Sequence, residues 1–173
     1  MRRCNSQFAV VVALLALAPA ARAQATSPAA CPTPNANAVQ RTVLPVAIAG
    51  GTATLHLRVA DSYAKREYGL MCVRALESRS GMIFVFADGD RSREFWMKNT
   101  LIPLDMLFVA NDGRVNSIAA NVPATTVETP DEKIPRRSGT GTFVVELGAG
   151  DAARVGIAPG TRLVLSRIRS AKE

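Results

Sequence analysis

The sequence predicts a mainly β protein, in the form of a compact antiparallel β-sandwich or a partly open barrel with one or two short helices. From residue 52 to residue 59, apolar and polar residues alternate, which is typical of a half-buried strand. Several further short apolar segments follow, and turn sequences such as Asn111-Asp112-Gly113 separate them. Many short strands divided by regular turns favour a sandwich or a barrel.

The first 23 residues have the pattern of a secretory signal peptide. Arg2-Arg3 forms a short basic start, residues 8–18 are all apolar, and Ala21-Arg22-Ala23 supplies a small–x–small cleavage pattern. The apolar run is too short to cross a bilayer, which disfavours a retained anchor. We therefore expect cleavage near Ala23, no integral membrane segment after processing, and a periplasmic or secreted location.

The remainder divides into a leader and one domain. Residues 24–42 are rich in Ala, Pro, Thr and Asn, which predicts a flexible leader. We expect residues 43–169 to form a single β-rich domain, which is long enough to bury a core. Removal of residues 1–23 takes away three arginines and no acid, so the formal net charge falls from +7 to +4. The remaining basic residues are scattered, and this argues against a nucleic-acid partner, which needs a basic stripe with positioned aromatics.

Two cysteines, Cys31 and Cys72, remain after processing. In an oxidising compartment such a pair predicts a disulfide. It would hold the leader against the domain. By closing a loop it would raise the free energy of unfolding by about 4 kcal/mol in the chain-entropy model. The alternative is a buried Cys72 and a free Cys31.

The first elements of the domain are a hairpin and a helix. The alternating strand at 52–59 follows Gly50-Gly51, which predicts a hairpin with a strand at 43–49. Asp61 or Ser62 can cap a short helix that runs to Tyr68 and ends at Gly69.

The rest of the domain reads mostly as strands. The turn at Asn111-Asp112-Gly113-Arg114 suits a type I′ hairpin, because Asp-Gly tolerates positive φ values. The sequence predicts a single helical turn at Asp151–Val155. The predicted strands are Met82–Phe86, Arg93–Lys98, Asp105–Ala110, Arg114–Ala120, Thr142–Leu147 and a last strand Thr161–Arg169.

The segment FWMKNTLIPLD, residues 95–105, is the most unusual in the chain. Side chains alternate along a strand, so Phe95 and Met97 share a core face, while Glu94, Trp96 and Lys98 share the other. A tryptophan beside charged groups can stack on a ring such as a sugar while the charges bind its polar edge. The competing interpretation is that Trp96 is buried under a neighbouring loop and Glu94 pairs with Lys98.

Known catalytic patterns find little support. The single histidine, His56, lies on the polar face of a predicted strand, and no HxH, HExxH or CxxC spacing indicates a metal site. A Cys72–His56 nucleophile pair has no third group to orient it. A carboxylate pair could be drawn from Asp105, Glu94, Glu128 or Glu146, but no spacing selects one. No cofactor is indicated.

The chain also resembles the family known as domain of unknown function family 192. The resemblance is carried by YGLMCVRALESRSGMIFVF at 68–86, FWMKNTLIPLDMLFV at 95–109 and NDGRVNSI at 111–118, and by the closing segments FVVELGAG at 143–150 and VGIAPGTRLVL at 155–165. It implies a compact, mainly β domain in an exported bacterial member, and it implies no activity. Members often carry arginine directly after a residue that follows GLM, whereas here Cys72 and Val73 precede Arg74.

The polar residues of these motifs are the candidate site. They are Trp96, Lys98, Asn99, Asp105 and Arg74. We expect a binding or accessory protein that takes a small polar ligand or a cell-envelope component. The first alternative is a hydrolase or lyase acting on an envelope polymer, with Asp105 as acid or base and Lys98 or Asn99 stabilising charge. The second is a purely structural envelope protein.

Overall fold

A computed structural model describes residues 30–170 of the chain, and side chains up to residue 168. The predicted signal peptide, residues 1–23, and the first part of the predicted leader lie outside the described residues. The described part is mainly β, as predicted, with nine strands, three short α-helices and two single turns of 3₁₀ helix.

Seven strands form one curled sheet that closes halfway towards a barrel, in the order β6-β5-β8-β3-β2-β1-β9. The other two, β4 and β7, form a small second sheet. The strands are β1 Val43–Ile48, β2 Thr54–Ala60, β3 Ser80–Val85, β4 Arg91–Trp96, β5 Leu104–Val109, β6 Val115–Val122, β7 Arg136–Gly141, β8 Phe143–Gly148 and β9 Leu163–Val164. The helices are α1 Tyr63–Tyr68, α2 Asp151–Arg154 and α3 Ser166–Ser170, and the 3₁₀ turns are Ala36–Ala38 and Asp131–Lys133.

The predicted hairpin and the predicted helix after it are both present. Strands β1 and β2 pair antiparallel, with Val46 opposite Leu55. Helix α1 begins after Ser62, whose hydroxyl oxygen accepts a hydrogen bond from the Lys65 backbone N–H at 3.4 Å. It ends at Gly69, where φ is +51° and a side chain would be strained. The helix crosses from β2 to β3, which therefore pair parallel, a pairing that the alternation pattern does not reveal.

Two local predictions are wrong. The β5–β6 hairpin is present, but its turn is not type I′, because only Gly113 has a positive φ there, at +90°. The register of the β5–β6 pair shifts between Phe108 and Val109, which indicates a β-bulge beside this turn. The predicted last strand Thr161–Arg169 is reduced to β9, because the chain turns into α3 at Ser166.

Strand β7 was not predicted, because Arg-Arg-Ser-Gly-Thr-Gly has no apolar alternation. It gains its partner from β4, with Phe95 opposite Arg137. Gly139 allows the strand to lie directly on the main sheet, since a Cβ atom there would come within 2.3 Å of the Phe108 ring.

The curled sheet carries an apolar core on each face. The first core contains Leu55, Ile83, Val145 and Leu147 and is closed by α2 and α3. The second core contains Met82, Phe84, Met106 and Val144, and Phe95 and Trp96 of the small sheet pack against it. Residues on β8 alternate between the two cores, so Glu146 lies on the second-core face beside Val144.

In the part of the chain that the structure describes, no helix has the length and apolar character needed to span a bilayer.

Candidate functional site

The turn after β4 holds the polar part of residues 95–105, which we call the signature segment, in a fixed conformation. Asn99 has a φ of +52°, a left-handed conformation that asparagine adopts more readily than most residues. Its carbonyl oxygen accepts a hydrogen bond from the Cys72 N–H at 2.8 Å, and its side-chain amide lies 3.8 Å from the Met71 sulfur. Thr100 is buried and its N–H bonds the Met97 carbonyl at 3.1 Å, which closes the turn.

Trp96 is half-buried between two cations. The Lys98 ammonium lies 5.0 Å from the ring centre and the Arg136 guanidinium lies 5.3 Å from it. Glu94 pairs with Arg136 at 2.9 Å, and Lys98 pairs with Asp131 at 3.2 Å. The anticipated Glu94–Lys98 pair is therefore wrong, because β7 brings a nearer arginine to Glu94.

Three of the five candidate residues line one open cavity of about 310 Å³, which we call the outer cavity. Trp96, Lys98 and Asn99 form one side of it together with Met71. The opposite side comes from the leader and from α1, through Pro32, Thr33, Pro34, Asn35, Ala38, Ala64, Glu67 and Tyr68.

A disulfide between Cys31 and Cys72 holds the leader in this position. The Cα atoms are 6.0 Å apart, and the Tyr68 hydroxyl donates to the Pro32 carbonyl at 3.1 Å nearby. Because Cys72 also bonds to Asn99, the cross-link joins the leader directly to the turn of the signature segment. The predicted disulfide is present, and residues 32–38 serve as a wall of the outer cavity.

A smaller inner chamber of about 30 Å³ adjoins the outer cavity. The two share Glu67, Tyr68, Met71, Trp96 and Lys98 in their walls. The rest of the inner chamber is formed by Arg66, Gly69, Leu70, Phe84, Phe95, Thr100 and Glu146.

Glu146 is the chemically unusual group in the inner chamber. It is 5% exposed, and within the described residues no hydrogen bond or ion pair reaches its carboxyl group. Among the described residues, every fully enclosed polar side-chain atom has a hydrogen-bond partner. The unpartnered carboxyl oxygens of Glu146 are therefore not fully enclosed, and their small exposed area faces the inner chamber. Burial raises the pKa of Glu146 from 4.5 to about 8. The carboxyl is therefore mostly protonated at neutral pH.

Asp105, in contrast, has a structural position. It is 1% exposed, and its two carboxylate oxygens accept hydrogen bonds from the backbone N–H groups of Asn121 at 2.9 Å and Ala152 at 3.1 Å. It lines neither the outer cavity nor the inner chamber. The structure thus places this candidate away from Trp96, where it ties β5 to β6 and α2.

Arg74 is also separate from the other candidates. Its side chain is exposed in the loop between α1 and β3, and it lines neither cavity. The structure therefore brings together Trp96, Lys98 and Asn99 but not Asp105 or Arg74.

The sequence placed Glu146 only among four acids that could form a carboxylate pair, although a stronger signal was present. It is the only charged residue in the apolar run Phe143–Leu147, and an acid inside a strand buried on both faces needs either a partner or a function. The contributions of Glu67 and Tyr68 could not be found in the same way, because α1 shows no sign in sequence of facing the signature segment. Among the described residues, no cluster of three metal-ligating side chains is present.

Comparison with known proteins places these features in a family context. The family model of domain of unknown function 192 (DUF192), described as an uncharacterised ACR, matches residues 45–165. A solved structure from Sinorhizobium meliloti 1021, provisionally described as a transcription regulator, is 36% identical with a TM-score of 0.64, and the match covers 73% of this chain and 95% of that chain. A protein of unknown function from Novosphingobium aromaticivorans DSM 12444 is 35% identical with a TM-score of 0.58, and the match covers 70% of this chain and 84% of that one. A search of the curated proteins finds no match.

Proposed function

We propose that this chain, which belongs to the DUF192 family of uncharacterised proteins, is an exported protein that binds a small polar ligand or a cell-envelope component in the outer cavity. One observation carries the proposal. Trp96, Lys98 and Asn99 of the signature segment line one open cavity together, and Trp96 does so while it also packs against the second core.

The outer cavity has the composition of a ligand site. Trp96 and Tyr68 offer aromatic surface with a polar edge, and Met71 adds an adaptable apolar contact. Lys98 and Asn99 supply hydrogen-bond donors on one side, and Glu67 supplies an acceptor on the other. A mostly apolar cleft with a few converging polar groups is typical of small-molecule sites.

Two features support export to the periplasm or beyond. The sequence of residues 1–23 has the three regions of a signal peptide. The Cys31–Cys72 disulfide is of a kind that persists in oxidising compartments. We propose that the mature protein begins after Ala23, with the leader at residues 24–42 and one domain at residues 43–169. Fractionation of cells, followed by mass measurement of the protein, tests both points, and a cytoplasmic chain of full mass would contradict them.

Binding can be tested by a thermal-shift screen of the mature protein against periplasmic metabolites and cell-wall fragments. Trp96 is the only tryptophan in the chain, so its fluorescence reports directly on the outer cavity. We expect a ligand that raises the melting temperature also to change this fluorescence, and Lys98→Gln to weaken its binding about tenfold.

Arg74→Gln is the matched control, since it removes the same charge from an exposed side chain that lines neither cavity. It should leave ligand affinity unchanged. Equal loss of affinity in both variants, or stabilising ligands that do not affect Trp96, would contradict binding in the outer cavity.

A hydrolase or lyase is the second candidate, favoured by Glu146 and not by Asp105. A carboxyl that carries a proton at neutral pH is suited to act as a general acid. Incubation of the mature protein with envelope polymers and analysis of the fragments tests this. Release of fragments that Glu146→Gln abolishes would support an enzyme, and absence of cleavage would reject it.

The basic side chains of this chain give no support to a role in transcription, which is the description given to the Sinorhizobium meliloti protein. Several basic side chains pair with acids: Arg93 with Asp88 at 2.5 Å, Arg136 with Glu94 and Arg162 with Asp112 at 3.1 Å. Paired cations of this kind do not form the basic stripe that nucleic-acid binding requires.

A further inference from the structure

We propose that the inner chamber is a subsite for a protonated amino group of the ligand, which the carboxyl group of Glu146 recognises. This inference rests on the proposed function, because it assigns one functional group of the molecule held in the outer cavity. It narrows the ligand from any small polar molecule to an amine that reaches past Trp96.

The size of the inner chamber limits what can enter. Its volume of about 30 Å³ has room for a group of the size of one or two water molecules. A primary ammonium group with its first carbon fits this space, whereas a sugar ring or a phosphate does not. The shared wall with the outer cavity leaves the remainder of the ligand against Trp96 and Lys98.

The walls of the inner chamber suit a cation. Four aromatic side chains line it, and two acids accompany them: Tyr68, Phe84, Phe95, Trp96, Glu67 and Glu146. Aromatic faces attract ammonium groups, and a carboxylate adds a charged acceptor for their N–H donors.

Two cations of the protein also line the chamber, but both have other partners. The Arg66 guanidinium donates to the Val85 carbonyl at 2.9 Å and lies 5.0 Å from the centre of the Phe86 ring. Lys98 pairs with Asp131. Neither forms an ion pair with Glu146 among the described residues, so its carboxyl lacks the counter-charge that an ammonium group would bring.

The proton balance follows from the surroundings of Glu146. Charged or titratable groups face it from α1 (Arg66, Glu67 and Tyr68) and from the turn after β4 (Lys98). Its partners in the sheet, Met82 and Met106, carry no charge. Since burial keeps the carboxyl protonated at neutral pH, an entering ammonium group makes it ionise, and the carboxyl proton passes to solvent while the ammonium keeps its own.

The experiment measures the titration of Glu146 directly. The mature protein, labelled with ¹³C at glutamate Cδ, is titrated by NMR with excess ethylammonium chloride, with ethanol, or with sodium chloride at equal ionic strength, and Glu146→Gln assigns the signal. We expect ethylammonium to lower the Glu146 midpoint by about one pH unit, which corresponds to a tenfold preference for the ionised form. Ethanol and sodium chloride should leave the midpoint in place.

Two results would overturn the inference. One is a midpoint that ethylammonium does not move. The other is a midpoint that ethanol raises, because this would identify a neutral hydroxyl group as the natural occupant of the chamber.

These failures are distinguishable from a failure of the proposed function. If ligands from the thermal-shift screen remain sensitive to Lys98→Gln but not to Glu146→Gln, the outer cavity binds and only the amine subsite is wrong. If no ligand is sensitive to Lys98→Gln, the binding function itself is wrong.

Discussion

Two buried carboxyl groups lie on neighbouring strands of the main sheet and have opposite surroundings. Asp105 on β5 is directly opposite Leu147, which places it on the first-core face, and Glu146 on β8 is opposite Met106, on the second-core face. Asp105 accepts two backbone hydrogen bonds. The carboxyl group of Glu146 accepts none among the described residues, and the residue lines the inner chamber.

The different surroundings of Asp105 and Glu146 indicate different roles for the two acids. A buried acid with both oxygens bonded to N–H groups holds elements together, as Asp105 does for β5, β6 and α2. A buried acid without partners lowers the stability of the fold, so its presence suggests a role other than holding the structure together. We therefore assign Asp105 to the fold, and we infer that Glu146 is kept for a ligand.

The largest effect should come from removing the disulfide, which joins the leader to the turn that lines the outer cavity. Replacing Cys31 and Cys72 together with serine releases a loop with a sequence separation of 41 residues. We expect a loss of about 4 kcal/mol in the free energy of unfolding, measured by chemical denaturation.

Hydrogen exchange makes that test specific to one side. The N–H groups of Asn121 and Ala152, which bond to Asp105, should lose protection no more than the whole domain does, whereas the Cys72 N–H should exchange much faster. Equal additional loss at all three positions would show that the two sides are not independent.

The next effect should come from Asp105→Asn. The amide has one acceptor oxygen where the carboxylate has two, so one of the two backbone N–H groups is left without its acceptor. We expect a loss of roughly 3 kcal/mol in unfolding free energy, with ligand binding intact at temperatures where the variant is folded.

Glu146→Gln at pH 6 is the matched comparison, because it changes the same kind of group on the neighbouring strand. It should raise the unfolding free energy by about 2 kcal/mol, since at this pH the wild-type carboxyl is neutral in the folded state but ionised in the unfolded chain. Similar losses in both variants would remove the distinction between the two acids.

The last effect is the dependence of stability on pH. The pKa of Glu146 is raised in the folded state, so its stabilising contribution is fully present below pH 4.5 and is lost as pH rises through about 8. Between pH 6 and pH 8 we expect this group to lower the unfolding free energy by roughly 2 kcal/mol. Urea denaturation at the two pH values measures the change, and Glu146→Gln should remove it. An equal change in the variant would assign the pH dependence to other groups.

The sequence predicted most of the fold but only half of the site, for physical reasons. The β1–β2 hairpin and α1 could be predicted because their alternation, cap and glycine signals are local. Strand β7 could not, because it is polar and is held by pairing with β4. Likewise, Trp96 and Lys98 stood out as unusual for a strand, but the chamber they share with Glu146 depends on how α1 and β8 meet in space.

The order of strands in the main sheet also governs when the molecule can form. Strand β3 lies between β2 and β8, and β8 follows it roughly 60 residues later in the chain. Strand β1 likewise pairs with β9 near the C-terminus. Non-local pairings of this kind form slowly, because the chain loses the entropy of closing long loops before the contacts between the strands can stabilise it. A chain emerging from a ribosome therefore cannot complete its sheet until β9 has been made.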